Sequence, residues 1–330
     1  MKLFSILFYA REAGIAYVFS KMVDLFKKHG YKMYFDVDDN AAKILPSKPY
    51  INPKNVDLIL CGYDAPSIDK TGIFLKSIKS FNIPVLAILD SWKGIDRFWY
   101  EDGSLRQLTN NIAVSDYLSK NYLIDKGVPS DWPVVTGHPG IDYISECPKK
   151  NREKFRINGR LSLGLQKRDK VLMFLSEPIN FINGNQSSLL YMNTKANQSI
   201  VDWVESNYSQ KYKIVVRHHP IEKKKIPANW INGNEISLEE AIFSSDLILG
   251  LSSTTIQYAI AAQECVYNLE KIISGWIPEY SNMPKKLWKS LSENNFIENK
   301  SNHKINNKIF SKGSSKKILT LISRLIKENY

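Results

Sequence analysis

The run LFSILFYA at 3–10 is apolar almost without a break. A strand with one wet face alternates apolar and polar residues, so a continuous run belongs to a strand covered on both sides. The pattern recurs along the first half of the chain. AYVFSKMVDLFKKHG follows with helical spacing: Val18, Met22, Leu25 and Phe26 share a face, and Gly30 is placed as a C-cap. YKMYFDV, VDLILCG, IPVLAILD and NIAVSD read as further strands, with helices predicted near 72–81 and after Asp116, and PVVTGHPGID closes the series. Strands separated by helices imply βαβ units and a mostly parallel sheet.

The alternation breaks at 145–170, SECPKKNREKFRINGRLSLGLQKRDK, which is polar and basic and reads as an interdomain connection with room for a short helix. It restarts with the strand KVLMFLSE, the helix TKANQSIVDWVESNY, the strand KIVVRHHP, the short helix SLEEAIFSSD, the strand LILGLSS and the helix TTIQYAIAA. Ser237 and Glu240 stand at capping-box spacing. NFINGNQSSLLYMNTK at 180–195 reads as a polar loop. The tail SKKILTLISRLIKENY is amphipathic, with Ile318, Leu321, Ile322 and Leu325 on one stripe. The expected fold class is therefore α/β: two facing domains with mostly parallel sheets, at 1–145 and 146–312, and a terminal helix at 313–330 that packs back across them.

The net charge is +12, a balance that suits nucleic acid, anionic lipid or phosphorylated small molecules. The lysines are scattered and no nucleic-acid motif accompanies them, so no nucleic-acid partner is expected. Cys61, Cys147 and Cys265 are far apart and form no CxxC pair, which argues against structural zinc and suits a reducing cytoplasm. The N-terminus lacks a signal-peptide pattern, and no stretch approaches the roughly 18 apolar residues that span a bilayer. A cytoplasmic location is expected, with the basic amphipathic tail able to touch a membrane surface peripherally.

In an open α/β sheet, ligands bind beyond the carboxyl ends of the strands, so the residues just past each strand carry the functional information. After Val216 the strand KIVV runs into Arg217, His218, His219 and Pro220, with a lysine run at 223–225. Pro220 holds His219 extended at the strand tip, where an imidazole can bind or protonate a phosphate. The competing reading is a His-Pro strand terminator. Further on, Ser252, Ser253, Thr254 and Thr255 link a buried strand to a helix. Hydroxyls and free N–H groups at a helix start make an anion site, although a single such residue is also an ordinary N-cap.

The order HHP, then SSDLILGLSSTTIQYA, resembles the C-terminal half of GT-B glycosyltransferases, in particular bacterial surface-glycan enzymes of sialyltransferase, Kdo-transferase and polyol-phosphate transferase type. VVTGHPGID at 134–142 resembles the end of the N-terminal domain in those transferases and in UDP-sugar 2-epimerases. The resemblance implies two Rossmann-like domains and a metal-independent glycosyltransferase of surface polysaccharide synthesis, capsule and lipopolysaccharide included. The first domain would serve the acceptor, a glycan or glycolipid. The second would bind a nucleotide-sugar, CMP-sugar favoured and UDP-sugar allowed. His219, Ser252, Ser253, Thr254 and Arg217 would hold the donor phosphate. Sialyltransferases carry an acidic-acidic-Gly motif as base, which here falls on Glu101 and Asp102 before Gly103; otherwise that run is turn chemistry. Asp90, at a strand tip beside Trp92, is the rival base.

Arg11, Glu12 and Gly14 follow the first strand where such enzymes carry a small-residue loop, and Ser176 and Glu177 follow the first strand of the second half. All of these, with Trp92 and His138, are candidate donor or acceptor contacts, and His138 reads equally as a structural turn. DVDD at 36–39 is discounted as a metal site, and no metal or cofactor is expected. A UDP-sugar 2-epimerase, a polyol-phosphate transferase and a non-catalytic sugar-nucleotide-binding protein are the alternatives.

Overall fold

The computed structural model describes residues 3–46, 51–64, 69–91, 95, 97–100, 102–180, 186–188, 200–219, 222, 225–250, 253–262, 264, 266–269 and 312–329. The chain divides into two compact units, one of residues 1–143 and 306–330, the other of residues 144–305.

The first unit contains β1 (Ser5–Ala10), α1 (Ala13–Ser20), α2 (Val23–Lys28), β2 (Lys32–Val37), α3 (Asp39–Ala42), β3 (Leu58–Cys61), α4 (Lys70–Ile78), β4 (Val85–Ile88), β5 (Asn111–Val114), α5 (Tyr117–Asp125) and β6 (Pro133–Val135). Helix α6 (Pro139–Ser145) closes it. The six strands form one parallel sheet in the order β2-β1-β3-β4-β5-β6. All six residues of β1 are buried, as the unbroken apolar run predicts for a strand covered on both faces. Phe8 packs edge-on against Phe19 and Phe26 and stacks on Phe35, joining β1 to α1, α2 and β2.

The second unit opens with α7 (Lys149–Ser162) and continues through β7 (Val171–Leu175), β8 (Pro178–Asn180), β9 (Gln186–Ser188), α8 (Ile200–Tyr208), β10 (Lys213–Arg217), β11 (Ile231–Asn232), α9 (Leu238–Ser244), β12 (Leu247–Gly250), α10 (Thr254–Ala261) and β13 (Val266–Asn268). Its sheet is parallel in the order β11-β10-β7-β12-β13, so β7 lies between the two strands that carry the motifs. The capping box of Ser237 and Glu240 is formed at the start of α9.

Two features differ from the sequence expectation. The stretch read as a connection holds the 14-residue helix α7, which packs on α9. Arg160 inserts there and donates to the carbonyls of Ser244, Gln166, Lys167 and Asp169 and to Asp246. Its basic residues are partly internal, a pattern that composition alone reads as solvated linker. Part of the expected loop at 180–195 pairs instead as the antiparallel strands β8 and β9. The last helix, α11 (Ser314–Glu328), belongs to the first unit: Ile318, Leu319, Leu321, Ile322, Leu325 and Ile326 are buried in its core, and Ser314 N–H donates to Asp142 at 2.7 Å. Among the described residues, no helix is long and apolar enough to cross a membrane.

Candidate functional site

In the second unit the polar residues gather at the carboxyl ends of three adjacent strands, β10, β7 and β12. Ser176 and Glu177 follow β7, and both are buried. Ser176 N–H donates to Arg217 O at 2.9 Å, which ties the β7 and β10 tips together. The Ser176 hydroxyl donates to Glu222 Oε1 at 2.7 Å, and the His219 N–H donates to Glu222 Oε2 at 2.7 Å. Glu222 N–H returns a bond to His219 O at 3.0 Å, so Glu222 and His219 are joined through both backbone and side chain. His218 is buried while His219 is exposed. His218 N–H donates to Asn234 Oδ1 at 2.9 Å.

Arg217 was expected at the phosphate. Its guanidinium instead donates to the carbonyls of Gly233 and Ile236 at 2.9 and 2.8 Å, and burial pushes it below the ordinary arginine range. It anchors the loop after β11. At β12, Gly250 lets α10 return closely, because a Cβ there would stand 2.7 Å from Ile256 and 3.1 Å from Leu175. Ser253 is the N-cap of α10, its hydroxyl accepting from Thr255 N–H at 3.2 Å, and Thr254 is the first helical residue. The Ser253 N–H donates to Glu177 Oε1 at 2.7 Å. A carboxylate of the protein therefore occupies the start of α10, where the helix dipole favours an anion. Trp92, Glu101 and Ser252 lie outside the described residues.

In the first unit a second polar group forms at the ends of β1, β3 and β4. Glu12 pairs with Arg97 at 2.7 Å, and Arg97 also donates to Tyr63 O. Burial pushes the Glu12 carboxyl up, opposed by Arg97 and reinforced by Asp90 and Asp64. Burial works against the charge on Arg97, but Asp90, Glu12 and Asp64 outweigh it and hold the guanidinium above its ordinary range. Three carboxylates thus share one guanidinium field. Asp90 lies against the first turn of α1: a Cβ built on Gly14 would collide with Asp90 Oδ2. The absence of that atom is what lets Asp90 approach the helix start, so Gly14 and Asp90, read separately from the sequence, belong to one place. Arg97 and Asp64 were missed by sequence reading. Asp64 comes three residues past the end of β3, in the same kind of strand-tip position as the others.

The remaining expected residues have local partners. His138 Nε2 meets Asp90 O at 2.9 Å, and its Nδ1 accepts from Ile141 N–H at 3.3 Å. That pattern is the neutral ring with its proton on Nε2, and burial pushes its pKa down. His138 joins the start of α6 to the end of β4, which is the structural turn. Arg11 pairs with Asp36 at 2.7 Å and lies 3.9 Å from the centroid of the Tyr9 ring. Asp102 is exposed and accepts from the N–H and hydroxyl of Ser104 at 2.9 and 2.6 Å; that hydroxyl holds its carboxyl below the usual range. With Gly103 at φ 81° the segment is a tight turn, bracketed by the Trp99–Leu105 bridge. Asp38 caps α3 through Ala41 N–H. Among the described residues, no group of three or more His, Cys, Asp or Glu could hold a metal ion.

Comparison with solved structures matches this fold along nearly the whole chain. The Wall Teichoic Acid Polymerase TagF, as its H548A variant, is similar at TM-score 0.63 and 14% identity, covering 99% of this chain and 90% of that one. The UDP-GlcNAc 2-epimerase from Neisseria meningitidis, bound to UDP-GlcNAc, gives TM-score 0.61 at 15% identity, covering 97% and 100%. The S. aureus MnaA–UDP structure gives TM-score 0.61 at 14% identity, covering 98% and 97%. No protein-family model and no curated protein matches the sequence. The chain has the two-unit GT-B fold that these enzymes share.

Proposed function

We propose that this protein is a GT-B transferase that moves a nucleotide-activated group, a sugar or a polyol phosphate, onto a glycan or glycolipid acceptor in surface-polymer synthesis. The observation that carries the reading is the polar edge of the second sheet, where strands that are otherwise buried and apolar end in Ser176, Glu177, His218, His219 and Ser253 side by side. His219, exposed at the β10 tip, is the group proposed to contact the donor phosphate and to steady or protonate it as it leaves. Ser253, Thr254 and the start of α10 are proposed to neutralise phosphate charge, an electrostatic contribution that is often the largest in catalysis.

The expectation of a CMP-sugar rests on the His-Pro, Ser-Ser and Glu-Asp-Gly motifs occurring together, as in sialyltransferase-like enzymes. Asp102 of the Glu-Asp-Gly run lies in an exposed turn, whereas TagF has been soaked with CDPG and the epimerases hold UDP-GlcNAc or UDP. A donor built on a nucleoside diphosphate is therefore proposed: a transferred sugar leaves the nucleoside diphosphate behind, whereas a transferred polyol phosphate takes one phosphate with it and leaves the nucleoside monophosphate. Asp90 is proposed as the acceptor base, because it stands at a strand end against the start of α1 within the Arg97 field. The acceptor is proposed to be met at the cytoplasmic face of a membrane.

Calorimetry with CMP, CDP, UDP and GDP on the wild type and on His219→Ala tests the reading. CDP or UDP should bind the wild type and bind His219→Ala at least about tenfold more weakly, a loss of about 1.4 kcal/mol. Equal affinity of both proteins for every nucleotide would remove His219 from the site. Turnover of UDP-GlcNAc to its 2-epimer without any acceptor would favour the isomerase, a reading supported by the likeness to the epimerases.

A further inference from the structure

Glu222 stands three residues past His219, in a segment whose sequence reads as lysine-rich solvated loop, yet its side chain is only 1% exposed. Its carboxylate is the junction of the β10 and β7 tips. Oε1 accepts from the Ser176 hydroxyl and Oε2 from the His219 N–H, both at 2.7 Å. Acceptance at both oxygens is the bonding of an ionised carboxylate. A carboxylate removed from water needs an opposing charge as well as hydrogen bonds. His218 Nδ1 lies 3.8 Å from Oε2, and its ring is equally buried. That separation is too long for a direct hydrogen bond and close enough for a strong charge interaction where water is excluded.

The surrounding groups fit this arrangement. Arg217 turns its guanidinium to the carbonyls of Gly233 and Ile236 and has Glu239 in its field. Glu177, at the β7 tip, accepts from Ser253 N–H. Asn234, from the loop after β11, is neutral and holds the His218 backbone N–H.

We infer that Glu222 is a positioning residue that keeps the buried His218 ring protonated and fixes the His219 backbone. The polar edge then carries a buried imidazolium whose charge is balanced by Glu222 until an anion arrives. Glu222 also sets the direction of the His219 backbone through the Oε2 bond. That this charge serves a nucleotide phosphate rests on the function proposed above; the pairing of Glu222 with His218 does not.

Long-range 1H–15N spectra of the full chain, recorded from pH 5 to 9 and assigned with His218→Gln, test the pairing. The wild-type His218 ring should be an imidazolium at pH 7. In Glu222→Gln it should lose its proton at least about one pH unit lower, the shift an opposite charge at this range produces. A neutral His218 ring in the wild type at pH 7 would overturn the inference without any variant, as would an unchanged titration in a folded Glu222→Gln. Calorimetry at pH 8 with CDP and UDP is the second arm, where Glu222→Gln should bind several-fold more weakly than wild type. If the ring titrates as stated and neither nucleotide binds the wild type, the functional reading fails and the Glu222 assignment stands.

Discussion

Glu177 Oε1 accepts the Ser253 N–H at 2.7 Å, so a side chain of the protein itself fills the anion position at the start of α10. A donor phosphate arriving there would meet a negative charge already in place. Glu177→Gln keeps an acceptor for Ser253 and removes that charge. The variant should lose about 0.3–1 kcal/mol of stability from the helix terminus and should bind CDP or UDP more tightly than the wild type. Calorimetry and a urea melt read both effects. Weaker nucleotide binding in Glu177→Gln would mean that Glu177 itself contacts the donor.

The approach of Asp90 to Gly14 gives a second test. Gly14→Ala places a methyl group where the Asp90 carboxylate lies, and because the obstructing atom ends a side chain, the carboxylate can turn aside without unfolding the unit. Transfer should fall while nucleotide affinity stays at the wild-type level. Asp90→Asn should lower kcat by about 10²-fold or more, the range for a lost general base. Asp102→Asn should stay close to wild type, since its carboxylate is held by Ser104 in an exposed turn. The reverse order of these two variants would return the base to the Glu-Asp-Gly run.

The fold was largely legible because strands buried on both faces write themselves as unbroken apolar runs; β1, β3, β7 and β12 all fall within such runs. Helix α7 was not, because its burial is done by arginines. Arg160 reads as a solvated charge until Asp246 and four backbone carbonyls are seen around it. The site was legible as strand ends but not as partnerships. Sequence places His219, Ser176 and Ser253 at tips, yet the pairing of Glu222 with Ser176 spans 46 residues and that of Glu177 with Ser253 spans 76. Neither spacing has a local signature. Arg217 shows the same limit: its position marks a strand end, and only the fold shows that its side chain reaches the carbonyls of Gly233 and Ile236.

His138 makes the stability of the first unit depend on pH. Burial depresses its folded pKa below the free value of about 6.5. The unfolded chain then binds more protons than the folded one, so stability rises with pH through this window. The unit should be fully stable above about pH 6.5 and should weaken as the pH falls below it. His138→Gln, which keeps hydrogen-bonding capacity and cannot titrate there, should flatten the slope of unfolding free energy between pH 5 and 7. Denaturant melts at each pH measure it, and parallel slopes in the two proteins would place the dependence on another group.

Arg160 and Arg156 both reach Asp246 at 2.8 Å, but they differ in burial: the Arg160 side chain is 5% exposed and that of Arg156 32%. Breaking a buried pair by removing one partner leaves an uncompensated charge and costs about 3–5 kcal/mol, whereas an exposed pair contributes about 1 kcal/mol or less. Arg160→Met should therefore destabilise the second unit severely, because it also strips donors from the carbonyls of Ser244, Gln166, Lys167 and Asp169. Arg156→Met should cost far less. Asp246 is pushed up by its partial burial, but the Arg156 hydrogen bond, the Val171 N–H and the charges of Arg156 and Arg160 together hold its carboxyl below the usual range. Its contribution is present above the free value of about 3.9 and is lost as the pH falls through the folded one. Asp246→Asn should accordingly lose stability at pH 7 and show a shallower acid slope than the wild type. Urea melts of the three variants at pH 7 and pH 3 give the comparison. Equal losses for Arg160→Met and Arg156→Met would mean that burial does not decide the strength of these pairs, and that α7 is held to α9 chiefly by its apolar contacts.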